Sequence, residues 1–123
     1  MQGDAASFKS VAIVDDEAGV RTLIAALCAM HGFEVVGEAG NGIDAEMLIQ
    51  QHRPRYVVLD YMMPFQDGAI TARKIKRISP DTRIIAVSAV IHERPEWADA
   101  FVEKTEIDSL GAVLESLFCT AVA

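Results

Sequence analysis

Tyr56-Val57-Val58-Leu59-Asp60-Tyr61-Met62-Met63-Pro64 is the stretch that decides the fold. Its apolar half has strand length, ends in a carboxylate and is soon followed by a proline. An unbroken apolar run marks a strand buried on both faces of a parallel sheet. The carboxyl ends of such strands are where α/β folds hold their ligands. A second apolar run, Val11-Ala12-Ile13-Val14, closes on Asp15-Asp16-Glu17. Two strand ends that both deliver carboxylates point to one shared site suited to a divalent cation.

Outward from these runs, strand and helix patterns alternate to the end of the chain. Strands are expected at 11–15, 34–38, 56–60 and 83–88, with a short fifth centred on Phe101-Val102. A helix is expected at 17–31, with Val20, Leu23, Ile24, Leu27 and Cys28 on one face at helical spacing. Asp16 reads as its N-cap and Gly32 as its C-cap. Gly40-Asn41-Gly42 turns the chain into a second helix at 43–52, which Pro54 stops. A third helix spans 68–79 and ends at Pro80. The last, about 107–120, carries Ile107, Leu110, Val113, Leu114, Leu117, Phe118 and Ala121 on its apolar stripe. The pattern predicts an α/β fold, a doubly wound, five-stranded parallel sheet with helices on both faces. Only the segment between Ser88 and Lys104 fits poorly. It must hold a crossover and a strand, and Pro95 lies inside it. A fourth helix that is shortened or irregular, of one to three turns or a loop with helical character, is expected there.

Size and composition narrow the function. The chain has 123 residues, 51% hydrophobic and 24% charged, enough for one domain with its own core. Its formal net charge of −7 argues against direct nucleic-acid binding and against an anionic membrane surface. No apolar run reaches the ~20 residues of a membrane span, and Met1-Gln2-Gly3-Asp4 lacks the layout of a signal peptide, so no membrane insertion and a cytoplasmic location are expected. Cys28 and Cys119 fall in apolar helical company and read as buried free thiols. His31 and His52 lie at helix ends, where a cation favours the helix dipole. Trp97 reads as packing for the shortened crossover or as the mark of a partner surface.

At the carboxyl edge of such a sheet the first strand brings Asp15 and Asp16, the third Asp60, the fourth Ser88, and the residues after the fifth Lys104. Crowded carboxylates call for a cation with oxygen ligands, Mg²⁺ above all, with Mn²⁺ as a substitute. A carboxylate can act as a nucleophile toward phosphorus, while an ammonium and a hydroxyl hold the phosphoryl oxygens.

Taken in order, Val14-Asp15-Asp16-Glu17, Leu59-Asp60-Tyr61-Met62-Met63-Pro64, Asp67-Gly68, Ser88-Ala89 and Lys104 resemble the receiver domain of two-component response regulators, over nearly the whole chain from Val11 to Leu117. Gly37-Glu38-Ala39-Gly40-Asn41-Gly42 looks like the second-strand region of the subfamily with helix-turn-helix outputs. The resemblance implies the flavodoxin-like strand order 2-1-3-4-5. It implies one receiver domain over 1–123, with a tail over about 1–9 and no output domain. By position, Asp60 would be the phosphoacceptor. Asp15, Asp16, Asp60 and the backbone carbonyl of Met62 would hold Mg²⁺. Lys104 would pair with the phosphoryl group, and Ser88 and Phe101 would form the switch. The implied partners are a histidine kinase or histidine phosphotransfer protein, met by the first helix around Ala18, Val20, Arg21 and Thr22, and a downstream protein. Such a domain catalyses its own phosphorylation and dephosphorylation and is not a turnover enzyme.

Two departures from the family stand out. Thr105 follows Lys104 where a proline is common, and the interval from Ser88 to Lys104 is short by more than a helical turn. The second departure implies that the surface built around a fourth helix is not used in the usual way. By the same resemblance, Met62 and Val90 occupy positions that flank the path of attacking water in the family; both are apolar here and are expected to slow loss of the phosphoryl group. Two rivals remain. A phosphatase of the haloacid dehalogenase type needs a second aspartate where Met62 stands. A flavodoxin-like cofactor binder needs a glycine- and hydroxyl-rich loop where Asp16-Glu17 would repel phosphate.

Overall fold

The structure, a computed structural model, describes residues 8–63 and 66–122. The expected tail over 1–9 lies outside them as far as residue 7, as do Pro64 and the side chain of Ala121. The chain runs β1 (Ser10–Val14), α1 (Ala18–Met30), β2 (Glu34–Ala39), α2 (Gly42–His52), β3 (Tyr56–Asp60), α3 (Gly68–Ile78), β4 (Arg83–Ser88), β5 (Ala100–Glu103), a 3-10 segment (Lys104–Ser109) and α4 (Leu110–Val122). The five strands form one parallel sheet in the order β2-β1-β3-β4-β5, as expected.

Alternation along the central strands builds two cores. Val11 and Ile13 of β1, with Tyr56 and Val58 of β3, face α1 and α4, where Ile24, Cys28, Leu110 and Leu114 close the layer. Ala12, Val14, Val57 and Leu59 face the other way, against Ala45 and Ile49 of α2 and Ala72 and Ile75 of α3. Strands buried on both faces explain why β1 and β3 carry no polar alternation.

The helix ends follow local chemistry. Asn41 Oδ1 accepts the Asp44 N–H at 2.8 Å, and Asp67 Oδ1 accepts the Ile70 N–H at 3.0 Å. α1 ends with Gly32 at φ +80, the left-handed residue a glycine takes at least cost. The Gly32 N–H returns to Ala29 O and the Phe33 N–H to Cys28 O, which satisfies the last carbonyls of the helix. Asp16 is not the N-cap of α1. Glu17 takes that position without a side-chain bond, and its own N–H is held by Asp15 Oδ1 at 2.9 Å.

Two further expectations are corrected. The last helix does not begin at Ile107. Residues 104–109 are 3-10, Glu106 is non-helical at φ −115 and ψ 26, and Ser109 Oγ donates to Glu106 O at 2.8 Å. A period of 3.0 and one of 3.6 place Ile107 and Leu110 on the same face, so spacing alone does not separate them. Cys119 is exposed while Cys28 is buried, because Leu110 and Leu114 set the inward face of α4.

The fourth helix is absent. Residues 89–99 form bends and a turn, with the Ala98 N–H donating to Pro95 O at 3.1 Å. Distance accounts for this. The segment must return from the carboxyl end of β4 to the amino end of β5, a strand length of ~17–20 Å. At ~1.5 Å per residue a helix would consume the whole segment and leave nothing for turns. Side chains replace the missing helix. Trp97 packs on the α2–α3 core and stacks on Tyr61, ring centroids 6.1 Å apart and planes 10° from parallel. Arg94 Nη1 donates to Ala98 O at 2.7 Å. Asp99 and Ile84 exchange two bonds, Asp99 N–H to Ile84 O and Ile84 N–H to Asp99 Oδ2, each 2.8 Å.

These substitutes should be costly to remove. Trp97→Ala is expected to lower stability by about 2–3 kcal/mol, below the cost at a fully buried tryptophan. Asp99→Ala is expected to cost about 1–3 kcal/mol, because it strips the Ile84 N–H of its acceptor. Urea unfolding followed by circular dichroism measures both, and unchanged midpoints would refute the bracing role.

Candidate acidic site at the carboxyl edge of the sheet

The strands deliver the expected residues to one rim. Asp15 follows the last residue of β1 and is 1% exposed, while Asp60 ends β3 and is 4% exposed. The Asp15 N–H donates to Ala39 O at 3.0 Å, which extends the β1–β2 ladder into the site. Holding the Glu17 N–H occupies Asp15 Oδ1 and leaves Asp16 exposed on the rim. Asp15, Asp16 and Asp60 each place a carboxylate oxygen within 4.8 Å of the others. Lys104, first residue after β5, reaches in with Nζ 3.2 Å from Asp15 Oδ2, 3.5 Å from Asp60 Oδ2 and 3.9 Å from Glu17 Oε1. Asp15 Oδ2 is buried and, despite this ion pair, has no hydrogen-bond partner of good geometry.

Protonation follows from the crowding. Burial, then the Asp15 charge, pushes the Asp60 carboxyl up to about 6 against the pull of Lys104 and of the Met62 N–H, 3.3 Å from Asp60 Oδ1. Burial opposes charge on Lys104, but Asp60 and Asp15 outweigh it and its pKa is raised, so the ammonium stays charged. The donor set is all hard oxygen, net negative even with Lys104, and includes one buried oxygen without a hydrogen bond. It fits a small divalent cation.

Ser88 is buried at the end of β4, and its Oγ accepts the N–H groups of Val90 at 3.0 Å and Ile91 at 3.1 Å. Its own hydrogen remains available to donate. Phe101 pairs with Ala86 across β4 and β5 and is half-buried. Met62 and Val90 are 56% and 59% exposed. On the helix face expected to meet a kinase, Ala18 and Thr22 are exposed, whereas Val20 packs on the core and Arg21 turns inward. Sequence reading missed that inward turn. Arg21 Nη1 donates to Asp15 O at 2.7 Å and Nε to Glu38 Oε1 at 3.1 Å. Its signal was positional, a lone basic residue one helical turn after Glu17.

This geometry has counterparts. Residues 11–107 match the family model of the response regulator receiver domain. The chemotaxis protein CheY of Bacillus subtilis is 41% identical over 80 residues, 65% of this chain and 67% of that protein. The transcriptional regulatory protein PdtaR of Mycobacterium tuberculosis is 41% identical over 87 residues, 69% of this chain and 42% of that protein. A DNA-binding response regulator of the LuxR family from Staphylococcus aureus superposes with a TM-score of 0.76 at 28% identity, covering 89% of this chain and 98% of that one. The chain belongs to the response regulator receiver domain family. It is a phosphoacceptor signalling domain of the two-component type, and neither the phosphatase nor the cofactor-binding reading is favoured. Among the described residues no helix is long and apolar enough to cross a membrane.

The raised Asp60 value sets a pH dependence. Folding prefers the protonated carboxyl, so this group's contribution is fully present below the unfolded value of 3.8 and is lost as pH rises through about 6. Asp60→Asn is therefore expected to stabilise the cation-free protein near neutral pH by on the order of 2–3 kcal/mol, with no gain below about pH 4. Urea unfolding in a chelating buffer across that range checks it, and a pH-independent difference would count against the assignment.

Proposed function

We propose that Asp60 accepts a phosphoryl group from a histidine kinase or histidine phosphotransfer protein. The observation that carries this is Lys104 Nζ lying 3.5 Å from Asp60 Oδ2 in a pocket that also gathers Asp15 and Asp16. An ionised Asp60 oxygen attacks phosphorus, the P–N bond of the donor phosphohistidine breaks, and the imidazole leaves and takes up a proton. Lys104 balances the charge that Asp60 loses to the phosphoryl oxygens. The carboxylates of Asp15, Asp16 and Asp60 and the backbone carbonyl of Met62 would hold Mg²⁺, or Mn²⁺ in its place, which when bound neutralises phosphoryl charge. The protein thus promotes its own phosphorylation and later hydrolysis.

Ser88 then donates its hydroxyl hydrogen to a phosphoryl oxygen, and moving it disturbs the bonds it accepts from Val90 and Ile91. Phe101, half-buried on β5, follows. A downstream protein reads the change. Since residues 89–99 hold no helix, dimers built on a fourth-helix surface are not expected. The kinase meets α1 through exposed small and apolar residues, including Ala18, Thr22 and Leu23. A cytoplasmic setting fits the implied kinase.

Mg²⁺ with acetyl phosphate should give one phosphoryl adduct by mass spectrometry in the parent and none in Asp60→Asn. Lys104→Ala should slow labelling by about 10²-fold. Labelling of Asp60→Asn equal to the parent would overturn the assignment.

Met62 and Val90 generate a further expectation. Their exposed apolar side chains narrow the approach of water, so Met62→Ala and Val90→Ala should each shorten the phosphoryl lifetime severalfold. Unchanged decay of labelled protein would remove both from the reading.

A further inference from the structure

We propose that Arg21 is a positioning residue for the acidic pocket, acting through the Asp15–Asp16 peptide. This inference rests on the phosphoacceptor reading above. The carbonyl oxygen of Asp15 belongs to the peptide plane that joins Asp15 to Asp16, and Arg21 Nη1 donates to it at 2.7 Å. The same guanidinium donates through Nε to Glu38 Oε1 on β2 at 3.1 Å. Two donors held in one rigid plane fix a direction that a single flexible ammonium does not. Their anchors lie on different strands, since Asp15 follows β1 and Glu38 lies in β2.

The surroundings are built for this reach. A Cβ at position 40 would come within 3.3 Å of Arg21 Nη1 and 4.0 Å of Asp15 O, so Gly40 leaves the guanidinium its passage. The side chain of Arg21 is 21% exposed, which holds it against the body of the protein. Asp15 is then fixed from three sides: its N–H by Ala39 O, its Oδ1 by the Glu17 N–H, and its carbonyl by Arg21. Asp16 has its place through the peptide that Arg21 grips. Glu38 offsets the positive charge, so the effect is geometric. Charge alone predicts the reverse sign, because removing a cation beside a carboxylate cluster would tighten cation binding.

That difference in sign makes the test. Mg²⁺ affinity is measured by calorimetry for the parent, Arg21→Met and Arg21→Lys, beside labelling by acetyl phosphate over a range of Mg²⁺. Residues that orient metal-binding groups typically carry 10–100-fold in affinity, and Arg21→Met is expected to weaken Mg²⁺ binding by about tenfold or more. Arg21→Lys keeps the charge but not the fork and should remain weakened. High Mg²⁺ should restore the labelling rate of Arg21→Met. An Arg21→Met protein that binds Mg²⁺ as tightly as the parent, or more tightly, overturns the proposal, as does full rescue by lysine. Unfolding in chelator shows whether Arg21→Met is folded. Should it not fold, Gly40→Ala carries the test: it changes no charge, brings a Cβ within 3.3 Å of Arg21 Nη1 and should weaken Mg²⁺ binding severalfold; an unchanged affinity overturns the proposal. A parent that neither binds Mg²⁺ nor takes up phosphoryl groups refutes the phosphoacceptor reading itself.

Discussion

Three carboxylates crowded against a single ammonium are the constraint on which the rest of this structure depends. With carboxylate oxygens within 4.8 Å, each pair repels by roughly 3 kcal/mol at an effective dielectric constant near 20. Lys104, at 3.2 and 3.5 Å from two of them, attracts each by roughly 5 kcal/mol on the same basis. Repulsion and attraction come close to cancelling. Burial then decides, and it is the leading cause of the high Asp60 value. The pocket is thus folded at a cost in stability, and a divalent cation would relieve it. Binding of a cation would in this way be coupled to the stability of the rim, before any phosphorus arrives.

The sheet makes that arrangement possible. Parallel strands bring all their carboxyl ends to one edge, so residues distant in sequence become neighbours without long loops. Because β1 and β3 are central and buried on both faces, their ends are fixed by packing on two cores at once. The charged groups begin where that packing stops. Asp15 continues the ladder with its N–H while its side chain holds the Glu17 N–H just before α1, and the same residue lines the pocket. Gly68 belongs to this economy of space. A Cβ there would lie 3.0 Å from Tyr61 Cα and 3.1 Å from the Trp97 ring, so α3 begins as close to the rim as backbone allows.

Much of this was legible in the residues. The apolar runs that end in Asp15 and Asp60 gave their strands and their shared edge, because a doubly buried strand leaves an unbroken apolar signature. Lys104 was found through its order after β5 and through the family pattern, and its Nζ does reach Asp15 and Asp60. Other features depend on geometry that periodicity does not carry. The side chain of Asp16 suits an N-cap better than that of Glu17, yet the backbone makes Glu17 the N-cap without a side-chain bond, which composition does not reveal. Leu110 and Ile107 share a face in either kind of helix. The inward reach of Arg21 depends on Gly40 and Glu38, far away in sequence. The loss of the fourth helix was half legible. Its length and Pro95 flagged an irregularity, while the substitutes, Trp97 on Tyr61 and Asp99 on Ile84, are tertiary contacts.

That loss bears on how a signal would leave the pocket. A crossover helix holds itself together through its own backbone bonds, so a push at one end moves it as a body. Residues 89–99 have one turn bond of that kind and hang mainly on side-chain points: Ser88 Oγ at the start, His92 on Glu103, Trp97 against Tyr61 in the middle, Asp99 on Ile84 at the end. Two of these points touch the site. Ser88 is the proposed switch hydroxyl, and Tyr61 directly follows Asp60 and is tied to Val87 O through its N–H at 2.9 Å. A shift of Ser88 toward a phosphoryl group would therefore loosen the first anchor while the last stays fixed by β4 and α3, through Ile84 and Lys76. The response would concentrate in residues 89–97, which include Val90, and in the Phe101 side chain, and leave α3 and the β5 backbone in place. On the proposed phosphoacceptor reading, a short, externally braced loop would turn a change at one carboxylate into a local change of surface.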